Sequence, residues 1–479
     1  MERIAIADEL EAVRGSYAPN RFIIYIAEDT PFFFLESEDV ARQNNNHLNT
    51  FLHEYWHYWL NVSTPAGFKS FSFTQNYIAD FTYSLVTCAN GESTGSADIP
   101  DDCKERVTNL LSLHKHHQGN SGPSDFRNIT EFAISAVTPK TNTVTLNGKP
   151  APDPYAELSL EYRKRGSEDV HTSRIILGTV AIEESICAAI QEIIEEQMPP
   201  QHRTAGKLLP VPYRILQKLL EHLAPGIAVT PRSVASLGTL ALLTPHPGAL
   251  AVDFCTNFAK KRKFGISEEE ILASIIAWIV GKMKRTMVPL LERDADRLLE
   301  IHKGRGLMEK ASRYIIGNML RHLEHRIEAP LFDMDTFFPK FDIDAFVKLQ
   351  ELCPPCDAIQ RRSLPDDMVG RDFCVSIGVQ TKDDDGYRPT DYLRVQQAQQ
   401  EYVFAHLDTK NATFIPTRDV QKRPCPYYGH CKLKYRVEQS EICKTSPWLA
   451  FSSGREVCQY RAAVNSTIGP VTVEPLRSW

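Results

Sequence analysis

The run Leu48-Asn49-Thr50-Phe51-Leu52-His53-Glu54-Tyr55-Trp56-His57-Tyr58-Trp59-Leu60 decides how this chain is read. Leu48, Leu52, Tyr55 and Trp59 recur at helical intervals, so a helix is predicted over about 39–60. On that helix His53 and His57 leave the same face, one turn apart. This spacing lets two imidazoles reach one Zn²⁺ at ~2.0–2.1 Å. Glu54 stands beside them, where a carboxylate can take the proton of a water polarised by the cation. Shuffling this composition yields His-Glu-x-x-His in only about 3% of chains, so accident is the poorer explanation. The other faces carry Phe51, Leu52, Tyr55, Trp56, Trp59 and Leu60. A helix this apolar belongs in a core, where two histidines and a glutamate need a metal or hydrogen-bond partners.

The stretch resembles the active-site helix of the zincin superfamily of metallopeptidases. No third histidine follows in Tyr58-Trp59-Leu60-Asn61-Val62-Ser63-Thr64, which excludes the metzincin variant. The gluzincin variant is completed by a Glu on a following helix, next to small residues. A helix is predicted over 177–197, stopped by Pro199 and Pro200, and it contains Glu184-Ser185-Ile186-Cys187. This is similar to the gluzincin Glu-small-x-small pattern. The resemblance implies Zn²⁺ held by His53, His57 and Glu184, with Glu183 as the fallback ligand. It implies Glu54 as general base, passing a proton to the leaving amine of a protein or peptide substrate. The stretch between His57 and Glu184 is longer than the family usually has. The position four residues after Glu184, an acid in some members, is Ala188. Partners that orient the ligands are unassigned, and His171 and Tyr213 are candidates for stabilising the oxyanion.

The whole chain has 479 residues, 42% hydrophobic and 24% charged, which is ample for several domains and excludes wholesale disorder. A net charge of −6 excludes a globally basic nucleic-acid coat. The first ten residues lack the basic start and apolar core of a signal peptide. The stretch 234–252 is interrupted by Pro245, His246 and Pro247, and 271–280 is too short to span a bilayer. A cytoplasmic location without membrane association is expected. An odd count of 11 cysteines suits a reducing compartment better than a disulfide framework. Cys88, Cys103, Cys187 and Cys255 are read as buried small hydrophobes.

The predicted class is α+β, predominantly helical, in three parts. Residues 1–205 form a zincin-like catalytic core with short strands at 21–26 and 31–35 and an insertion at about 90–150. Strands or a hairpin are expected near 143–149 and 157–163, and a polar loop over 90–104. Residues 206–358 form a helical bundle with long helices near 267–302 and 306–327. Residues 359–479 form a small Cys-rich module of weak periodicity.

In that module Cys425, Cys431, Cys443 and Cys458 are expected to ligate a second Zn²⁺ or an Fe–S cluster, with His430 able to replace one thiol. Cys353-Pro354-Pro355-Cys356 has the spacing of a metal half-site, a redox pair or a structural turn. Over 421–461 the cations Lys422, Arg423, Lys432, Lys434, Arg436, Lys444, Arg455 and Arg461 interleave with Tyr427, Tyr428, Tyr435, Trp448 and Phe451. Such a stretch suits a regulatory protein or nucleic-acid partner, or a solvated basic face. Two functions follow. One is a zinc peptidase regulated or targeted by its tail. The other is a metal-centre sensing or binding protein on a non-catalytic zincin-like scaffold.

Overall fold

The computed structural model describes residues 15–18, 22–26, 45–84, 101–120, 122, 126–146, 149–197, 209–337, 339, 348, 355–360, 372–378, 380–408, 410–411, 413–450 and 458–468. Strands β1 (Gly15–Ala18) and β2 (Ile23–Ile26) open it. The motif lies on α1 (Asn45–Ser63), which turns at once into α2 (Pro65–Ser84). The corner is built from small residues. The Thr64 hydroxyl accepts the Gly67 N–H at 3.1 Å and donates to the Leu60 carbonyl at 2.7 Å. A Cβ on Gly67 would meet the Asn61 carbonyl oxygen at 1.8 Å, so only glycine allows the turn to close this tightly.

Next come α3 (Asp101–Gln118) and an antiparallel sheet of β3 (Ile129–Leu146), β4 (Lys149–Lys164) and β5 (Val170–Leu177). The expected hairpin is thus a three-stranded sheet extending beyond 150. The expected polar loop gives way to helix at Asp101, and its earlier part lies outside the described residues. Gly178 joins β5 to α4 (Thr179–Gln197). A Cβ there would stand 2.4 Å from the Gln118 carbonyl carbon, so the end of α3 crosses this junction in van der Waals contact. Asn120 ties the crossing: its N–H donates to the Ile176 carbonyl at 3.1 Å, and its side-chain oxygen accepts from Ile176 N–H at 2.6 Å. The strand expected at 31–35 lies outside the described residues.

The bundle comprises α5 (Ile215–Leu223), α6 (Pro231–Leu242), α7 (Pro247–Lys263), α8 (Glu268–Lys282), α9 (Val288–Ile301), α10 (Leu307–Glu328) and α11 (Phe332–Phe337). The long helix expected near 267–302 runs without a gap from Glu268 to Ile301 as α8 and α9, joined by a π-helical turn at Met283–Met287. Pro289 explains the wider turn, because it has no N–H to donate into the helical ladder. Gly238 on α6 approaches α4 so closely that a Cβ would be 2.6 Å from Ile186 Cγ1.

Beyond the bundle, β6 (Cys356–Gln360) and β7 (Phe373–Ile377) return to the opening strands. The sheet order is β1-β2-β6-β7, with β6 parallel to β2 and the other pairs antiparallel. The tail then supplies α12 (Pro389–His406), a two-residue pairing of β8 (Leu407–Asp408) with β9 (Thr413–Phe414), and α13 (Lys434–Glu438), α14 (Ser440–Thr445) and α15 (Gln459–Ile468). Weak periodicity gave no sign of α12. It is a long helix in which Gln396, Gln397, Gln399 and Gln400 are buried beside apolar residues, so no polar face marks it out.

The architecture is α+β and mostly helical, with small sheets. One apolar core runs from Phe22 and Tyr55 through Ile182, Leu237 and Ile316 to Cys356 and Leu393, drawing on all three sequence segments. A second joins Phe73, Tyr77 and Phe81 of α2 to Tyr402 of α12 and Tyr460 of α15. Behind α1 sits a buried ion pair. Arg326 forks onto Asp333 at 2.8 and 2.7 Å, and Trp59 donates its indole N–H to the same carboxylate at 3.2 Å. Among the described residues, no helix is long and apolar enough to cross a membrane.

Candidate metal centre

Helices α1 and α4 pack side by side, and the motif side chains meet those of α4 at this contact. His53 Nε2 lies 3.3 Å from His57 Nε2. Glu184 Oε2 stands 3.2 Å from the first and 3.4 Å from the second. Three donor atoms thus form a nearly equilateral triangle. Ligands held tetrahedrally at about 2.0–2.1 Å from one zinc stand about 3.3–3.4 Å apart, so the triangle has the dimensions of a metal face. His53, His57 and Glu54 are buried, with 7–8% of their surfaces exposed, whereas the Glu184 side chain is 24% exposed. The group therefore meets solvent on the Glu184 side.

Cys187 joins them. His53, His57 and Cys187 offer ligand atoms that all lie within 4.8 Å of one another, and this buried group can hold a metal ion. From sequence alone Cys187 is a small packing residue. Its position three residues after Glu184, on the same helix face, is the signal that identifies it. Burial pushes its thiol up to about 11.

The adjacent glutamates do different things. Burial alone would raise the Glu184 carboxyl, yet His57 and His53 hold it well below the usual carboxylate range. Glu183 points the other way round the imidazole: its Oε2 is 3.6 Å from His57 Nδ1. Burial raises its carboxyl despite His57. The fallback ligand thus sits behind the ring, on the nitrogen that faces away from the triangle. His53 Nδ1 is buried and has no hydrogen-bond partner among the described residues.

Glu54 is raised by burial, against the lowering influence of His53 and His57, and it accepts a hydrogen bond from the Tyr17 backbone on β1. A carboxyl raised in this way is a better proton acceptor near neutral pH than an exposed one. Tyr213, just before α5, brings its ring centroid to 5.6 Å from that of His53. The charge of Glu184, then burial, raise its phenol and keep it a donor. His171 lies on β5, stacked at 5.5 Å on Tyr162, its partner across β4. Of the two candidates, Tyr213 is the one in contact with the group.

In the tail, Cys425, Cys431, Cys443 and Cys458 come within electrostatic reach of one another. Cys353 lies outside the described residues. Cys356 is buried on β6, opposite Ile377. Three of the arginines bond inward to backbone carbonyls, while Lys422, Lys432 and Lys434 are exposed. Arg436 donates to the Tyr428 carbonyl at 3.0 Å, Arg461 to that of Trp448 at 2.5 Å, and Arg423 to that of Glu401. Tyr427, Tyr428 and Trp448 are buried, so they do not form a surface on which bases could stack.

No family model, curated protein or solved structure matches the chain.

Proposed function

We propose that the chain is a zinc-dependent peptidase whose centre is held by His53, His57 and Glu184. The observation that carries this reading is the donor triangle of 3.2–3.4 Å with a buried Glu54 beside it. Two neutral imidazoles and a carboxylate are a donor set that suits zinc. Bound there, Zn²⁺ supplies Lewis acidity, polarising a water and the scissile carbonyl. Glu54 accepts the proton of the attacking water and returns it to the leaving amine. Tyr213 donates its hydroxyl proton in a hydrogen bond to the developing oxyanion. Glu183 keeps the His57 ring in the orientation and tautomer that turn Nε2 toward the triangle. Strand β1 is an edge strand among the described residues, and its Tyr17 amide already touches Glu54. An extended peptide laid along such an edge would bring a backbone amide to the site. The peptidase, and the zincin-like core it implies, rest on these features together with the motif.

Glu54→Gln removes the proton acceptor and keeps the ligands. Hydrolysis of a casein or mixed-peptide substrate should fall by about 10²–10⁴-fold, with zinc content unchanged. Equal turnover by the variant and the parent would refute the peptidase.

A second reading is favoured by Cys187. With that thiol as a fourth protein ligand the coordination would be closed, as in structural sites. The chain would then be a metal-holding scaffold for sensing or binding a partner. Cys187→Ser separates the two: an open site keeps its metal and its hydrolysis, whereas a closed one loses metal affinity and has no hydrolysis to lose.

A further inference from the structure

The four cysteines of the tail come from three separate parts of it. Cys425 and Cys431 flank a tight turn in which Tyr428 N–H donates to the Cys425 carbonyl at 2.9 Å and Cys431 N–H to the Tyr427 carbonyl at 2.7 Å. Cys443 lies on α14 and is pinned to the turn by the hydrogen bond from Cys425 N–H to its carbonyl, 2.8 Å. Cys458 immediately precedes α15. All four thiols are free, so none is committed to a disulfide. Cys425 belongs to both apolar clusters of the tail, which makes it the joint between them.

We propose that Cys425, Cys431, Cys443 and Cys458 are the four thiolate ligands of one iron–sulfur cluster, separate from the site on α1 and α4. Their sulfurs do not form a group within 4.8 Å of one another, as thiolates round a single zinc would, and a cluster spreads its ligands further. Backbone amides already address these sulfurs. Arg461 N–H donates to Cys458 Sγ at 3.4 Å, and the amides of Tyr427 and Leu433 do the same for Cys425 and Cys431. Donors of this kind stabilise sulfur as thiolate. Each thiol gives its proton to solvent on ligation, leaving four negative charges that a divalent centre reduces to about −2. The Arg436 guanidinium, almost fully buried, lies within electrostatic reach of Cys431 and Cys443 and offsets part of the remainder, while Arg394, also within reach of Cys431, is paired with Asp357.

Cys425, Cys431 and Cys458 pack in one apolar cluster, and Cys443 shares the other with Cys425. The fold immediately around Cys443 has little apolar support of its own. Helices α13 and α14 have five and six residues, and the apolar cluster under them consists of Tyr428, Cys443 and Ala450 with Cys425 and Ile442 against it. Helices that short do not stand alone, and a core that small needs a staple.

The test is metal analysis of the full chain purified without oxygen, beside His53→Ala/His57→Ala, Cys431→Ser and Cys443→Ser variants. In the double-histidine variant the tail centre remains as iron and acid-labile sulfide with absorbance near about 400 nm, and zinc alone in a colourless protein would overturn the cluster. Each cysteine variant loses that metal. X-ray absorption at the iron edge of the double-histidine variant reads out the ligands without relying on how the serine variants fold, and a shell of sulfur at about 2.3 Å is expected. The proposal is overturned if the double-histidine variant contains no metal, if its metal has no sulfur shell, if metal content is unchanged in the cysteine variants, or if disulfides among the four are found in the native protein. A peptidase that fails at α1 would leave all of these outcomes readable.

Discussion

Glu183 and Glu184 are neighbours in sequence and opposites in placement. One carboxylate closes the donor triangle and the other backs the His57 ring from Nδ1. Metal affinity should therefore respond unequally to their loss. Glu183→Ala should weaken zinc binding by about 10- to 100-fold, as removal of a group that orients a ligand does. Glu184→Ala should cost more and should also abolish turnover. Competition with a chelator of known affinity measures both, and a larger loss in Glu183→Ala would reverse the two roles. The motif itself was legible because a helix writes its spacing directly into sequence. The division of labour between the glutamates was not, because it depends on how α4 is rotated about its axis. That rotation is set by Gly238 against Ile186 and by the Ser185 hydroxyl, which accepts the Leu216 N–H at 3.2 Å.

At the scale of elements, α1 is gripped at Trp59, away from the donor triangle. Arg326 and Asp333 are both fully buried, and Trp59 of α1 shares the carboxylate. Such a pair adds little over a well-packed apolar replacement, but breaking it leaves a buried charge without its partner. Asp333→Asn should destabilise the fold by about 3–5 kcal/mol. Chemical denaturation reads this as a lower midpoint, and an unchanged midpoint would show that α1 is held by apolar packing alone. Helices with one polar face, such as α4 and α10, could be anticipated from periodicity. Helix α12 could not, since its buried glutamines erase the contrast that periodicity relies on. Nor could the pairing of β2 with β6, because four-residue strands carry no record of a partner more than 300 residues away.

Across the whole molecule, several histidines are interior and neutral. Burial lowers His114 to about 4, His302 to about 3 and His406 to about 4. The unfolded chain binds protons at these groups near 6.5 and the folded chain does not, so unfolding takes up protons between the two values. Their contribution to stability is complete above about 6.5 and is lost as pH falls toward about 4, at no more than about 1.4 kcal/mol per pH unit for each group. The melting midpoint should accordingly drop between pH 7.5 and 5.5. In His302→Gln the drop should be shallower, because glutamine can still bond Gln75, which His302 Nε2 meets at 2.9 Å, without titrating. A slope that does not change in this variant would place the acid sensitivity elsewhere.

The parallel pairing of Ile23–Ile26 with residues 357–360 also bears on how the protein is made. A ribosome adding roughly 5–20 residues per second would release the opening strand about 20–70 s before its partner emerges. For that interval Ile23, Ile24 and Ile26, all buried in the finished protein, have no sheet to join beyond β1. Nascent chains stopped before residue 356 should therefore be aggregation-prone and bound by holding chaperones, while those extended past residue 377 should become soluble. Fractionation of a ladder of stalled chains would show the change at that length.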